Sequence, residues 1–444
     1  MKKQAGPNPL LSGAILPKLL RFALPNMGAM LATALAAIAE TSYVGTLGSP
    51  ALAGMALVFP FVMFQMMLSG GAMGGGVSSA ISRALGKGEP DRANALAVHA
   101  MWIALVIGTI YMVVMLAFGE AIFSSLGAKG EALAQAVAYS EIAFFGSIFV
   151  WLVNTFAAVI RGSGNMAVPS TTLLLMSIVQ VALGGALGLG WGPFPRLGMH
   201  GVAAAGVLAY GAGAAYLLVH LINGRAQISL KVRATPFQRE LLNDILRVGG
   251  VACISPLQTV LTILVLTRLV AQFGTEALAG YGIGTRLEFL LVPIGFAIGV
   301  ASVMAIGAGN APRARRAAWM AAALATAILG AIGAVVAIAP DLWTGLFTQD
   351  PAVLSAAKSY FQWAGPAYGL FGLGLSLYFS SLAAGRAKGP VLAGTLRLVL
   401  VAAGGALLAS WQTPPWTIFA LVAAGMALYG LSTALFVKYT PWGT

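Results

Sequence analysis

Long blocks of apolar residues are the feature that most restricts what this chain can fold into. Blocks of 20 to 30 mostly apolar residues, separated by short polar joints, run through nearly all of its 444 residues. A helix of about 20 such residues crosses a hydrocarbon layer of about 30 Å. Only 8% of the residues are charged, against roughly 25% in soluble chains. The pattern therefore excludes a soluble enzyme and a disordered chain, and it predicts an all-α integral membrane protein.

Charged and turn-forming residues divide the sequence into about twelve apolar spans. The longest polar stretch follows the sixth span and predicts a division into an N-terminal lobe (1–222), a cytoplasmic linker (223–243) and a C-terminal lobe (244–444). The predicted spans are 20–44, 51–80, 95–118, 134–160, 166–189, 201–222, 246–271, 277–307, 317–340, 353–384, 390–410 and 415–437.

The distribution of positive charge predicts the orientation of these spans. When alternate loops are assigned to opposite sides, twenty Lys and Arg residues, Arg397 among them, fall on one side. Only three fall on the other side, namely Lys129, Arg196 and Lys358. Positive residues collect on the cytoplasmic side, so both termini are predicted to be cytoplasmic. The net charge of +13 is explained in this way by the membrane, without a nucleic-acid partner.

Several kinds of site are absent from the sequence. The single cysteine, Cys253, excludes disulfides and cysteine-ligated metals, and the three histidines are widely separated. A membrane-embedded enzyme would need a cluster of His, Asp or Glu for acid-base chemistry. A phosphate-binding GxxxxGK[ST] motif is also missing, which argues against an ATP-driven pump. We expect no N-terminal signal peptide, because Lys18 and Arg21 interrupt the first apolar residues.

The two halves of the sequence repeat each other. GTLGSPALAG at 45–54 matches AQFGTEALAG at 271–280 with an offset of 226, and Leu20-Arg21 matches Leu246-Arg247 with the same offset. At an offset of 225, Arg161 and Gly164 match Arg386 and Gly389. Six spans, an even number, separate the copies, so both halves should have the same orientation in the membrane. Such a fold places a cavity between its halves.

Several motifs in their order along the chain resemble the multidrug and toxic compound extrusion (MATE) family, part of the wider multidrug/oligosaccharidyl-lipid/polysaccharide flippase superfamily. The motifs are Pro25 in the first span, AETSYVGTLGSPALAG at 39–54, ISRALGKGEPDRA at 81–93, RGSGN at 161–165, PFPRLGMHGVAAAG at 193–206 and GYGIGTRLE at 280–288. None of them is specific alone, but the resemblance covers nearly the whole chain.

The resemblance implies a function that composition alone does not indicate. It implies a V-shaped fold of two pseudo-symmetric six-helix lobes, which exports cationic or amphipathic small molecules by alternating access in exchange for protons or sodium ions. It further implies a monomer in the bacterial inner membrane, with no cofactor beyond the ion gradient. The alternative is a flippase for lipids or lipid-linked oligosaccharides. Few cationic residues lie within the spans, which favours positive or neutral cargo.

Glu40 is the predicted cation-coupling residue. Family members carry an acid fifteen positions after a helix-bending proline, and Pro25 and Glu40 have this spacing. Burial favours the neutral carboxyl form and a nearby cation favours the charged form, so such a group can exchange a proton for a cationic compound. Alternatively, Glu40 extends to the interface beside the polar Thr41 and Tyr43. Pro25 is either a hinge or the start of the helix.

The fifth span departs from the family pattern. Sodium-linked and archaeal-like members carry an Asn and, four residues later, an Asp, where this chain has Gln180 and Gly184. The loss of that carboxylate leaves fewer oxygen ligands for sodium, which favours protons as the coupling ion. If sodium is used, Glu40 is its expected ligand. Gln180 either hydrogen-bonds Glu40 or packs on a polar helix face.

In the second half, Arg286 and Glu288 lie within an apolar span, where charged residues are costly and usually functional. Glu288 is a candidate second cation or substrate site, and Arg286 a candidate partner for an acid on another helix. Alternatively, both lie near the outer interface. Leu266 occupies the position in the second repeat that is equivalent to Glu40, so the coupling site is expected only in the first half.

Further polar residues within spans are candidates for lining the pocket or for bonding between helices. They are Thr41, Tyr43, Gln65, Asn154 and Gln258.

Overall fold

The computed structural model describes residues 14–224, 227–230, 235–301 and 311–440. Five positive residues counted above, Lys2, Lys3, Arg225, Lys231 and Arg233, lie outside the described residues, as does the end of the eighth predicted span (302–307). The chain divides into two compact units. The first unit is Leu24–Arg247, and the second unit combines the described residues up to Ala23 with those from Val248 onward.

The described part of the first half forms eight α-helices with two π-helical segments. The π segments are Met67–Met73, between α2 and α3, and Gly184–Gly188, after α7. The helices are α1 Ile15–Thr46, α2 Ser49–Met66, α3 Gly74–Gly86, α4 Pro90–Ser125, α5 Gly130–Phe145, α6 Ser147–Gly162, α7 Ala167–Leu183 and α8 Gly198–Ile222.

The described part of the second half forms nine α-helices and one 3-10 turn, Gly365–Ala367. The helices are α9 Arg239–Ala252, α10 Ile254–Ala271, α11 Thr275–Ala301, α12 Ala311–Ile338, α13 Asp341–Thr344, α14 Pro351–Ala364, α15 Tyr368–Ala383, α16 Lys388–Ser410 and α17 Pro415–Tyr439.

The predicted all-α membrane fold is confirmed, and the chain is a multi-pass membrane protein. Over the described residues, ten helical stretches are long and apolar enough to cross a membrane, each corresponding to a predicted span. Two of them combine two α-helices each, namely α2 with α3 and α9 with α10. The fourth predicted span is α5 and α6, which meet at a bend of 45°. Counting them as one gives eleven spans. The tenth predicted span is not one helix, because the 3-10 turn containing Pro366 separates α14 from α15.

The sequence repeat has a structural counterpart. Gly48 and Gly274 both adopt positive φ, 113° and 103°, in the turns before α2 and α11, where the second predicted span of each half begins. Such angles favour glycine because other residues are strained there. A Cβ on Gly54 would lie 2.7 Å from the Ala136 nitrogen, and one on Gly280 would lie 2.7 Å from the Ala357 nitrogen. The same pair of helices therefore approaches closely in both halves.

The match of Gly164 with Gly389 is wrong. Gly164 ends its helix with φ of 94°, and the glycine that ends the corresponding helix α15 is Gly385, with φ of 74°. Gly389 lies inside α16 instead. The structural offset is thus 221 (385 − 164), the same as for Ala136 and Ala357 (357 − 136). The second half is five residues shorter between its second and fourth spans.

The unit boundaries fall inside the first helix of each half. Residues of α1 up to Ala23 belong to the unit built mainly from the second half, while α9 up to Arg247 belongs to the unit built mainly from the first half. The prediction instead places the start of α1 in the N-terminal lobe (1–222) and residues 244–247 of α9 in the C-terminal lobe (244–444). The contacts of α9 explain its assignment, because Arg83 donates to Asp244 at 2.7 Å and Arg92 donates to Glu240 at 3.1 Å.

Candidate functional site

Glu40 lies six residues before the end of α1 and is held by two neutral donors. The Tyr139 hydroxyl on α5 donates to Glu40 Oε1 at 2.6 Å. The Gln180 amide on α7 donates to Glu40 Oε2 at 3.1 Å. Within the described part of the chain, no Lys or Arg forms an ion pair with this carboxylate. Each carboxylate oxygen therefore accepts one hydrogen bond, in both cases from a neutral donor.

Neighbouring helices leave room for these contacts. Tyr139 is only 6% exposed in the core of the first unit, so its ring fixes the direction of the hydroxyl. Gln180 lies in the last turn of α7. Its amide nitrogen lies 3.7 Å from the position where a Cβ on Gly206 of α8 would be. Gly206 brings α8 to the Gln180 amide, and Tyr210 lies one turn further along the same helix. Four helices thus converge on one carboxyl group.

Gly184, at the position where sodium-linked family members carry Asp, is the first residue of a π segment. A Cβ on Gly184 would lie 3.1 Å from the ring of Tyr43. The Tyr43 hydroxyl donates to the Val181 carbonyl at 3.2 Å, and its ring meets Trp191 edge-on at 5.4 Å. Tyr43 thus packs where an acidic side chain would stand. Thr41 is exposed and its hydroxyl bonds to the Ala37 carbonyl, away from Glu40.

A second polar cluster surrounds the other π segment. Asn154 donates to the Ser69 hydroxyl at 2.8 Å, and Gln65 donates to the Ser147 carbonyl at 3.1 Å. The Met66 sulfur lies 3.9 Å from the Asn154 amide and 3.6 Å from the Tyr210 hydroxyl. Asn154 and Gln65 are therefore interhelical hydrogen-bonding residues. Their hydrogen-bond partners differ from those of Glu40, and Met66 lies beside both Asn154 and Tyr210.

Pro25 is the eleventh residue of α1, so the interpretation as a helix start is wrong. Because proline has no N–H, the carbonyl four residues earlier, at Arg21, loses its helical donor. The next side chain, Asn26, is 1% exposed, and neither of its amide atoms has a hydrogen-bond partner. This turn of α1 thus has weakened backbone bonding and an unsatisfied polar side chain, both of which suit a hinge.

In the second unit, Arg286 and Glu288 have different surroundings. Arg286 is exposed, and its guanidinium lies 5.4 Å from the ring centre of Phe347 rather than against an acid. Glu288 is half-buried and accepts a hydrogen bond from the Tyr360 hydroxyl. Gln258 is placed elsewhere, donating to the Thr395 hydroxyl at 2.7 Å between α10 and α16. These three candidates do not form one site.

With this geometry in place, comparison with known proteins identifies the family. The sequence pattern of the MatE family matches residues 25–184 and 252–407, which together make up more than half of the chain. The chain is a transporter of the MATE family. The matched segments begin at Pro25 and at Ala252, one in each half, and the first ends at Gly184. The resemblance to a family of the flippase and exporter superfamily is confirmed.

Individual relatives of this MATE transporter are distant in sequence and similar in fold. The probable multidrug resistance protein NorM of Thermotoga maritima is 26% identical, covering 77% of this chain and 74% of that protein. The FAD transporter of Shewanella oneidensis is 26% identical, and the alignment covers 88% of this chain and 87% of that protein. A transporter of the same superfamily from Pyrococcus furiosus has a TM-score of 0.90 at 22% identity, covering 98% of both chains.

Tyr139, Tyr360 and Arg397 of this MATE transporter were not identified from the sequence as candidate site residues. The two tyrosines carried no signal beyond a polar atom in an apolar helix. Arg397 was counted as a loop charge, which is wrong, because it lies nine residues inside α16, a helix apolar enough to span the membrane. Its signal was available, since the predicted span 390–410 already enclosed it.

Proposed function

We propose that this MATE transporter exports cationic or amphipathic small molecules by exchanging them for protons at Glu40. The observation that carries the proposal is the carboxylate of Glu40, which Tyr139 and Gln180 hold by hydrogen bonds and which no Lys or Arg of the described residues pairs with. Inside a membrane protein such a group is neutral when it carries a proton, and when it is charged it attracts a cation. A proton and a cationic compound therefore compete for one carboxylate. This competition is the basis of exchange.

The names of two relatives support small-molecule cargo. The relative from Thermotoga maritima is described as a probable multidrug resistance protein, and the one from Shewanella oneidensis as an FAD transporter. The alignments cover 77% and 88% of this chain. We infer that this chain exports compounds of the multidrug class.

The donors around Glu40 favour protons over sodium as the coupling ion. Tyr139 and Gln180 both direct hydrogen atoms at the carboxylate, whereas sodium binding requires oxygen ligands directed at the ion. Tyr43 packs against Gly184, where a second carboxylate would stand in sodium-linked members. The site would have to rearrange before it could surround a dehydrated sodium ion.

The setting of the transporter is part of the same proposal. We place the chain in the bacterial inner membrane as a monomer with both termini in the cytoplasm, as the distribution of Lys and Arg predicts. The ion gradient is the energy source, and no other cofactor is required.

Transport by purified protein in proteoliposomes tests the proposal, with a pH gradient and a sodium gradient imposed separately. We expect the pH gradient to drive uptake of a cationic dye by the wild type and by the control Glu131→Gln, which alters an exposed acid at the start of α5. Glu40→Gln should abolish this uptake while leaving the amount of folded protein unchanged.

Other results would contradict parts of the proposal. Uptake driven only by sodium would refute proton coupling, and full activity of Glu40→Gln would refute the role of Glu40. Failure of the wild type under both gradients, with flipping of a labelled lipid instead, would favour the flippase.

A further inference from the structure

An aromatic contact lies one helical turn beyond Glu40, on the side where α1 and α7 end. Tyr43 follows Glu40 by three residues on α1, and Gly184 follows Gln180 by four, at the start of the π segment after α7. Residues at these spacings share a helix face and lie about 5 Å apart along it. Gln180 donates to Glu40, and the ring of Tyr43 lies 3.1 Å from the position of a Cβ on Gly184. The contact of Tyr43 with Gly184 is therefore the next layer after the contact of Glu40 with Gln180.

Trp191 covers this layer from the loop between the π segment and α8. Its ring meets the ring of Tyr43 edge-on, with ring centres 5.4 Å apart. A Cβ on Gly185 would overlap the Trp191 ring at the atoms Cε3, Cζ3 and Cη2. The ring thus occupies the space that a side chain at position 185 would fill, and only glycine leaves room for it.

Backbone hydrogen bonds hold the loop that carries Trp191. The Trp191 N–H donates to the Gly185 carbonyl at 3.4 Å. At the other end of the loop, the Leu197 N–H donates to the Leu187 carbonyl at 2.9 Å. Both ends of the loop are therefore bonded to the π segment, which keeps the tryptophan ring against Gly185.

The two rings form an apolar layer. The Tyr43 hydroxyl, the polar atom of that side chain, donates to the Val181 carbonyl at 3.2 Å and does not bond to Glu40. Trp191 is 54% exposed, so it lies at the surface of the first unit. From the surface inward, the order on this side is thus Trp191, Tyr43 and Glu40.

We propose that Tyr43 and Trp191 form an aromatic lid over Glu40, which limits the passage of water and protons to that carboxyl group from the outer side of the membrane. The side follows from the predicted orientation, because α1 and α7 correspond to the first and fifth predicted spans, and both run outward when the N-terminus is cytoplasmic. A proton from outside binds Glu40 when the lid opens, and the cationic compound then leaves the carboxylate. Trp191 is the positioning residue, since its contact with Gly185 fixes the closed lid. The inference rests on the proposed exchange at Glu40.

Chemical labelling of Glu40 measures how easily molecules in water pass the lid. A carbodiimide activates a carboxyl group, which then forms an amide with an added amine while the reagent leaves as a urea. A water-soluble carbodiimide has to arrive through water, whereas the apolar dicyclohexylcarbodiimide arrives through the bilayer. Intact bacterial spheroplasts that express the full-length protein expose only its outer side. They are treated with each reagent and glycine ethyl ester, and mass spectrometry of the purified protein gives the rate at which Glu40 is modified.

The lid predicts which variants label faster. Trp191→Ala should raise the rate with the water-soluble reagent about three- to tenfold, as expected for the loss of one edge-on ring contact, and should leave the rate with dicyclohexylcarbodiimide unchanged. Gly185→Ala should have the same effect without altering the tryptophan, because its Cβ would displace the ring. Trp191→Phe retains a ring and should label at a rate between those of Trp191→Ala and the wild type. The matched control is Phe194→Ala, which removes an exposed aromatic side chain of the same loop and should change neither rate.

Three results would overturn the lid. The first is an unchanged rate with the water-soluble reagent in Trp191→Ala and Gly185→Ala; if Gly185→Ala does not accumulate in the membrane, Trp191→Ala decides alone. The second is an equal rise with both reagents, because the carboxyl group itself would then have lost its surroundings. The third is a rise in Phe194→Ala as large as that in Trp191→Ala, because the whole loop would then be responsible.

The lid and the proposed function can fail independently. Labelling of Glu40 requires neither transport nor an ion gradient, so the rates decide the lid even if export fails. Dye uptake by the wild type in proteoliposomes under a pH gradient reports on export. Absence of that uptake refutes proton-coupled export and leaves the labelling result unchanged.

Discussion

The close approach of α11 and α14 can be tested with two glycines on one helix. Gly280 and Gly282 both lie in α11, two residues apart. A Cβ on Gly280 would lie 2.7 Å from both the Ala356 Cβ and the Ala357 nitrogen. A Cβ on Gly282 would have no heavy atom within 4 Å. Alanine at these positions therefore adds the same atom to the same helix in opposite surroundings.

The expected difference follows from these distances. Carbon atoms in good contact are about 3.5 to 4.0 Å apart, so alanine at 280 overlaps its neighbours by about 1 Å. Overpacking of this kind costs about 1 to 3 kcal/mol. Replacing glycine within a helix gains about 0.5 to 1 kcal/mol, and this gain is common to both variants. Gly280→Ala should therefore be about 1 to 3 kcal/mol less stable than Gly282→Ala.

Thermal unfolding of the purified variants in one detergent measures this difference. For units of about 200 residues, 1 kcal/mol shifts the midpoint by about 2 to 4 °C. We expect Gly280→Ala to unfold about 2 to 12 °C below Gly282→Ala. The corresponding pair in the first half is Gly54→Ala, 2.7 Å from the Ala136 nitrogen, and Gly28→Ala, with no atom within 4 Å. Equal midpoints within each pair would refute the close helix contacts.

Two further predictions concern the first unit. Tyr139→Phe removes a hydroxyl that donates to Glu40 at 2.6 Å. Since a hydrogen bond to a charged group contributes about 1.5 to 3 kcal/mol, dye uptake should fall about tenfold or more. The control Tyr111→Phe, which loses a hydrogen bond to the Phe61 carbonyl at 2.7 Å, should keep its activity. Arg92→Ala removes ion pairs with Glu240 at 3.1 Å and Asp244 at 3.3 Å. Because exposed pairs contribute about 0 to 1 kcal/mol each, the thermal unfolding midpoint should fall only a few degrees relative to the control Lys87→Ala, and the difference should vanish in about 1 M salt. A large loss of stability that persists in salt would contradict this account.

The sequence by itself determined the spans, the half repeat and the family. Hydropathy predicts a membrane helix reliably because each apolar block of sufficient length is stable in the bilayer whatever its neighbours are. Ten predicted spans correspond to continuous helical stretches in the described residues, two of which consist of more than one α-helix. The exceptions are the span that bends at Gly146 and the one broken at Pro366, where local backbone geometry matters more than hydropathy. The glycines of the repeated turn were also visible in the sequence, because a positive φ restricts residue type.

Only the tertiary structure decided which polar groups meet. Glu40 is 99 residues from Tyr139 and 140 from Gln180, so no local pattern links these three side chains. The structure also showed that Asn154 and Gln65 bond to other helices, away from Glu40. It also showed that Arg397, which the charge count had assigned to a loop, lies inside a span beside Phe371. A polar residue in an apolar helix shows that a partner is needed, but the rotation of the helix and its neighbours determine which partner it finds.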